Sequence, residues 1–318
     1  MLKRRGIVIY AHEATDYWAS RLEQSTLNVV GLHPVGGAEA PHSLERCIQM
    51  LSTPEFARFH ARMERAGIAV EYEMHALAWL LERERFSEHP EWFRMDEHGV
   101  RRSDFACCAS SAEGLAYLSE RTAQLARIFR PDTGNYHFWT DDIDAFCCCD
   151  SCRALSPADQ ALRIYNAMAE GVAAVNTGAS QSFLAYVGAL AVPQVVRPRS
   201  NVFLEFAPFR RTFDCSLFDP ACEQNRLNAE PLPALLDFFG RQNAKVLDYW
   251  TDNSMFSGWK LPPRRFQLNG AVCREDVRAY RQLGFDSITA FGCYLGEEYR
   301  DLYGDADLSD YMAILAEP

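Results

Sequence analysis

The chain lacks any run close to the ~18 consecutive apolar residues that a membrane-spanning helix needs, so a membrane partner is not expected. It lacks a positive balance as well. Lys and Arg total 32 against 43 Asp and Glu, a net charge of −11. A field of that sign repels phosphate backbones, which excludes nucleic acid as an expected partner. The only short basic stretch, Met1 to Arg5, is followed by apolar residues from Gly6 to Ala11 alone, too few for a secretory leader and suited to a first strand. No low-complexity linker and no internal repeat interrupts the 318 residues. That length suffices for a large core without disulfides or metals.

Cysteine is the exception to this spareness. There are eleven, and they cluster: Cys107 and Cys108 are adjacent, and Cys147, Cys148, Cys149 and Cys152 fall within six positions. The expected compartment is the cytoplasm, where disulfides are disfavoured, so a cluster points to metal binding or catalysis. Thiolates spaced C-x-C-x-x-C can wrap one tetrahedral zinc from a single loop. Cys107 or Cys108 is the natural fourth donor. The set adopted is Cys108, Cys147, Cys149 and Cys152, a closed structural site, with free thiols or a disulfide as the alternative. No organic cofactor is expected.

Short β-rich runs alternate with helix-patterned segments from end to end. The expected strands are Gly6–Tyr10, Asn28–Leu32, Ile68–Met74, Tyr136–Thr140, Gln181–Tyr186, Val202–Phe206, Lys245–Tyr249 and Ser287–Phe291. Helical patterns cover Leu44–Leu51, Pro54–Ala66, Ala112–Phe129, Pro157–Val175, Leu232–Gln242 and Arg274–Leu283. Ser156, Pro157 and Asp159 form a helix start, and Gly284 a helix stop. Eight such units predict an α/β fold, a single closed (β/α)8 barrel over residues 1–318, with excursions near 76–111 and 192–201. An open doubly wound sheet is the alternative.

In such a barrel the chemistry sits at the C-terminal ends of the strands. The first strand delivers His12 and Glu13, and the second His33. In the third, Glu71, Glu73 and His75 share one face, opposite Val70, Tyr72 and Met74, and are expected to point inward. The fourth runs into Asp141 and Asp142, and the fifth ends near Tyr186. The sixth carries Glu205, followed by Arg210 and Arg211. The seventh carries Asp248, Tyr249 and Trp250. Carboxylates from several strands together with Trp and Tyr are the expected lining of a carbohydrate site, with paired carboxyls working at the anomeric carbon. Asp142 is the expected general acid, with Asp141 tuning its proton affinity. Glu205 is the expected nucleophile or base, with Asp248 as its substitute. His33, Glu73, His75, Tyr186, Arg210, Tyr249 and Trp250 are expected to bind substrate, with Arg210 and Arg211 more often solvated or salt-bridged than sugar-binding. Two competing readings are a metal-dependent sugar isomerase or hydrolase using His12, His33, Glu73, His75 and Asp142, and a non-catalytic sugar-binding barrel. An oligomer is left open.

These residues carry a resemblance. Val70 to Leu77, His89 to Arg94, Trp139 to Asp142 with the cysteine loop, Ser156 to Gln160, Phe203 to Pro208 and Asp248 to Ser254 are together similar to the family called domain of unknown function 4838. That resemblance implies a (β/α)8 barrel related to glycoside hydrolases, in a family with no assigned function. The C-x-C-x-x-C loop with one earlier cysteine also resembles the zinc cluster of family-42 β-galactosidases. Those enzymes place an Asn-Glu pair after the fourth strand and a Glu on the seventh. This chain has Asp141-Asp142 and Asp248 there, a departure that bears on whether the mechanism is retaining.

Overall fold

The computed structural model describes residues 2–104 and 106–318. Eight parallel strands close into a barrel in sequence order. They are β1 (Arg4–Tyr10), β2 (Val29–His33), β3 (Ala69–His75), β4 (Asn135–Trp139), β5 (Ser180–Ala185), β6 (Val202–Phe206), β7 (Lys245–Asp248) and β8 (Ser287–Phe291). The register runs Gly6 to Val29 between β1 and β2, Glu73 to His137 between β3 and β4, and Lys245 to Ser287 between β7 and β8. The (β/α)8 barrel read from the sequence is therefore the fold. The open doubly wound sheet is overturned, because β1 pairs with both β2 and β8 and leaves no edge between them. Among the described residues, no helix is long and apolar enough to cross a membrane.

The helices form where the sequence marks their ends. Thr53 caps the helix Pro54–Ala66 by accepting from the N–H of Phe56, and Gly67 closes it in the left-handed region at φ 70°. Only glycine enters that region without cost, which is why this helix stops there. Ser156 caps Pro157–Val175 by accepting from the N–H of Asp159. The carboxylate of Asp159 does more than complete that cap: it accepts the N–H groups of Gln194, Val195 and Val196. It thus ties the 192–201 excursion, which has no regular element, to the helix. The last long helix begins earlier than expected, at Gly270, because Asn269 caps it by accepting from Val272.

The chain divides into two compact units. One comprises Met1–His33, Gln49–Val70 and Glu205–Pro318; the other comprises Pro34–Ile48 and Glu71–Leu204. In the second, β3 behaves as its alternation predicts. Tyr72 packs on Phe129, at the end of the helix Ala112–Ile128, with ring centroids 5.0 Å apart. On the other face, Glu71 accepts from the Thr133 hydroxyl and lies 3.4 Å from His137 Nε2. All of these side chains except Thr133 are buried. In the first unit the Nζ of Lys245, one of only three lysines in the chain, lies 3.3 Å from Glu205 Oε1. Buried charges persist when paired, as Lys245 and Glu205 are here.

Candidate functional site

The loop after β4 holds the acid pair. Asp141 and Asp142 meet different surroundings. The Asp141 side chain is 4% exposed. One oxygen accepts the N–H of Ala78 at 3.2 Å and the other lies 3.4 Å from the Arg83 guanidinium. Burial raises its carboxyl to about 7, against the opposing pull of Arg83 and the Ala78 N–H, with Asp142 adding a smaller upward push. Asp142 is exposed and accepts from the Tyr186 hydroxyl at 2.8 Å. Of the two, Asp141 is the one that burial pushes toward its protonated form. The carbonyl of Thr140 accepts from His75 Nδ1 at 2.6 Å, which fixes the imidazole at the end of β3.

Asp141 forms part of the wall of a hollow lined chiefly by Leu77, Ile143, Phe146, Ile164 and Tyr186. Its volume is about 40 Å³. That is well below the ~300–1,000 Å³ of ligand pockets. The hollow is partly open, so its lining dehydrates the carboxyl without sealing it off. The turn after β5 forms one side of the hollow, and there a Cβ added to Gly188 would meet the Asp144 and Phe146 side chains.

In the first unit the two expected nucleophiles lie at different heights: Asp248 ends β7, whereas Glu205 is level with the start of that strand. Glu205 is level with Lys245, the first residue of β7, and is fully buried beside it. It therefore lies away from the C-terminal end of that strand. Asp248 is three residues beyond Lys245 and so faces the opposite side of β7. There its carboxylate meets Arg211 Nη1 at 3.2 Å and accepts from the Tyr280 hydroxyl at 2.9 Å. Arg211 also pairs with Asp276 at 2.7 Å, and the Trp250 indole N–H donates to Asp276 at 2.9 Å. Asp276 and Tyr280 belong to the helix Gly270–Gln282. Burial raises Asp248 to about 6, with Arg211 opposing. Asp248 and Trp250 thus also brace β7 to a helix. Arg211 is salt-bridged and Arg210 exposed, as the pattern of two arginines after a strand suggested.

The ends of β1, β2 and β8 carry a different group. Tyr10 stacks on His33 at 6.2 Å, His33 meets Phe291 edge-on at 5.1 Å, and Phe291 stacks on Tyr249 at 5.4 Å. Beside them Glu13 is half-buried and raised to about 8, chiefly by desolvation, against N–H groups of Tyr10 and Gly296. Asp252, raised by burial to about 6, caps Asn253–Phe256 through the N–H groups of Ser254 and Met255. Glu13 and Asp252 were delivered to this end by the strand pattern but not singled out. The only local signal was their position directly after β1 and β7, shared with loop acids of no special kind.

The cysteine loop is built as a ligand set. Cys108 Sγ lies 3.7 Å from Cys149 Sγ and 3.8 Å from Cys152 Sγ. With Cys147, all four sulfurs lie within 4.8 Å of one another and could hold a metal ion. A disulfide would need an S–S distance near 2.05 Å. Metal–sulfur bonds of about 2.3 Å put the sulfurs of a tetrahedral set roughly 3.8 Å apart, which matches. Cys147 Sγ also receives the N–H of Met95 at 3.3 Å and faces Arg101 at 3.8 Å, surroundings suited to a thiolate. Gln160 pins the loop by donating to the carbonyls of Cys147 and Cys152. Cys107 stands outside the set.

A family model described as a domain of unknown function (DUF4838) matches residues 37–228, more than half of the chain. No curated protein matches. Among solved structures, the β-N-acetylhexosaminidase from Bacteroides fragilis NCTC 9343 is similar at a TM-score of 0.56 and 15% identity over 99% of this chain. The N-acetyl-β-hexosaminidase of Streptomyces plicatus is similar at 0.50 and 11% over 99%. Gan42B, a GH42 β-galactosidase, is similar at 0.53 and 12% over 99%. The chain spans 65%, 63% and 55% of their respective lengths. At these identities the likeness is one of fold: a barrel of the glycoside-hydrolase kind.

Proposed function

Since the chain belongs to the DUF4838 family and folds as a glycoside-hydrolase-like barrel, we propose that it hydrolyses a glycosidic bond of a saccharide, with Asp141 as the proton donor. The observation that carries this reading is the contrast within the β4 loop. One carboxyl is buried and raised to about 7, and its exposed neighbour is held by Tyr186. Environments that separate two carboxyls in this way divide acid from base roles. The Asp141 proton passes to the glycosidic oxygen as the bond from that oxygen to the anomeric carbon breaks. Water adds to that carbon and gives its proton to a carboxylate, a role assigned here to Asp142. His75 would orient a sugar hydroxyl.

Cys108, Cys147, Cys149 and Cys152 would hold one zinc ion. Four thiolates leave no open position, so the ion would supply rigidity to the loop after β4 and no Lewis acid. Such thiols fit a reducing cytoplasm. The test is a panel of aryl glycosides and oligosaccharides, run with Asp141→Asn and Asp142→Asn. Turnover of one member that both variants abolish supports the reading. Turnover that survives both variants rejects it. Saturable binding with no turnover favours a sugar-binding barrel.

A further inference from the structure

A row of rings runs outward in the unit that contains β1, β2 and β6–β8. Tyr10, His33, Phe291 and Tyr249 are each no more than 7% exposed. Phe209, in the loop after β6, lies 5.3 Å from Tyr249. Trp259, in the loop after β7, lies 6.3 Å from Phe209 and is 58% exposed. A large apolar side chain at that exposure forfeits burial that the fold could have provided, and it ends a continuous aromatic row.

The backbone holds it there at a cost. Trp259 sits at φ 54°, in the left-handed region that bulky L-residues avoid. Its N–H donates to Ser254 O at 2.7 Å. The Asn253 amide ties the following segment down through Arg264 O at 2.9 Å. Tyr294 at the end of β8 is a second aromatic in this conformation, at φ 62°. Strain of this kind persists only where the surroundings enforce it, and it clusters at binding sites.

We infer that Trp259, backed by Phe209, is a stacking subsite for one pyranose ring of an extended saccharide. Flat aromatic faces cover the C–H surface of a sugar ring, and a tryptophan fixed in place binds without losing rotamer freedom. The inference deepens the hydrolase reading and rests on it for the class of ligand.

Tryptophan emission reports on the site directly. The other five tryptophans are buried or half-buried, so a ligand stacking at the surface quenches or shifts Trp259. The probes are chitotetraose, cellotetraose and β-1,4-galactotetraose, added to the wild type and to Trp259→Ala, Trp259→Tyr and Trp259→Gly, with light scattering on each. Glycine accepts the left-handed backbone, so that variant keeps the fold if alanine does not. At least one probe is expected to change the wild-type emission. Its binding, followed by calorimetry, should weaken about tenfold in Trp259→Ala and Trp259→Gly and be largely restored in Trp259→Tyr. The inference is overturned if no probe alters the wild type, or if the alanine variant binds as tightly. It is overturned too if Trp259→Ala only converts a dimer to a monomer, which marks the tryptophan as a contact between copies. Binding that needs Trp259 with no cleavage rejects the hydrolase reading and keeps the subsite, whereas cleavage indifferent to Trp259 does the reverse.

Discussion

Replacing Asp141 by Asn should change how stability depends on pH, and the size of the change follows from its surroundings. The carboxyl titrates near 7 in the fold, against 3.8 when unperturbed. Between those values the folded state binds the proton and the unfolded state does not. The group's contribution is therefore fully present below about pH 4 and is lost as pH rises through 7. Integrated from pH 5 to pH 8, the wild type should lose about 2–3 kcal/mol that Asp141→Asn does not lose. The attraction between Arg83 and the carboxylate formed at pH 8 is already contained in the raised titration of Asp141, so it adds no separate cost. The assay is urea unfolding of both proteins at pH 5 and pH 8, with equal slopes as the check on two-state behaviour. Parallel stability changes in the two proteins would refute the assignment of a held proton to Asp141.

Three further outcomes follow from the geometry. The protein should bind one zinc per chain, and strong chelation should release it, expose the four thiols of the cluster to a thiol reagent and loosen the loop after β4; a metal-free protein with those thiols already reactive would refute the site. Asp248→Asn should cost about 3 kcal/mol in unfolding free energy by breaking the buried contact with Arg211, while the KM for any cleaved saccharide stays unchanged; a KM effect without a stability effect would return Asp248 to the substrate site. Asp159→Ala should cost about 2–4 kcal/mol because the N–H groups of Gln194, Val195 and Val196 lose their acceptor, and a melting-temperature series would show it. The wild-type Asp159 carboxyl is held near 2: burial pushes it up, but the Ser156 hydroxyl and these N–H groups outweigh that, so its contribution fades as pH falls from about 4 toward 2.

The strands were legible because a barrel strand is short, β-branched and bounded by turns, and β6 and β8 coincide with their expected bounds. The polar face of β3 was legible because alternation is a local property. The orientation of β7 was not. In Lys245-Val246-Leu247-Asp248 either face could have turned inward, and the choice is made by Arg211, Asp276 and Tyr280, all distant in sequence. The unequal surroundings of the acid pair were hidden for the same reason. Asp141 and Asp142 are chemically alike, and what separates them is Ala78 and Arg83, 63 and 58 residues away. The cysteine set was read correctly as a grouping because three of its members share one loop, yet the choice of Cys108 over Cys107 depended on which of two adjacent side chains turns toward that loop. Trp259 carried no signal at all, since its exposure and its left-handed backbone arise only in the folded loop.

Leaving-group dependence tests the proton-donor role of Asp141 most directly. A dinitrophenolate leaves without protonation, whereas a sugar alkoxide does not. For a sugar that the wild type cleaves, Asp141→Asn should lower kcat on the oligosaccharide by about 10²–10⁴-fold and leave the dinitrophenyl glycoside nearly untouched. Equal losses on both substrates, or none on either, would contradict the account.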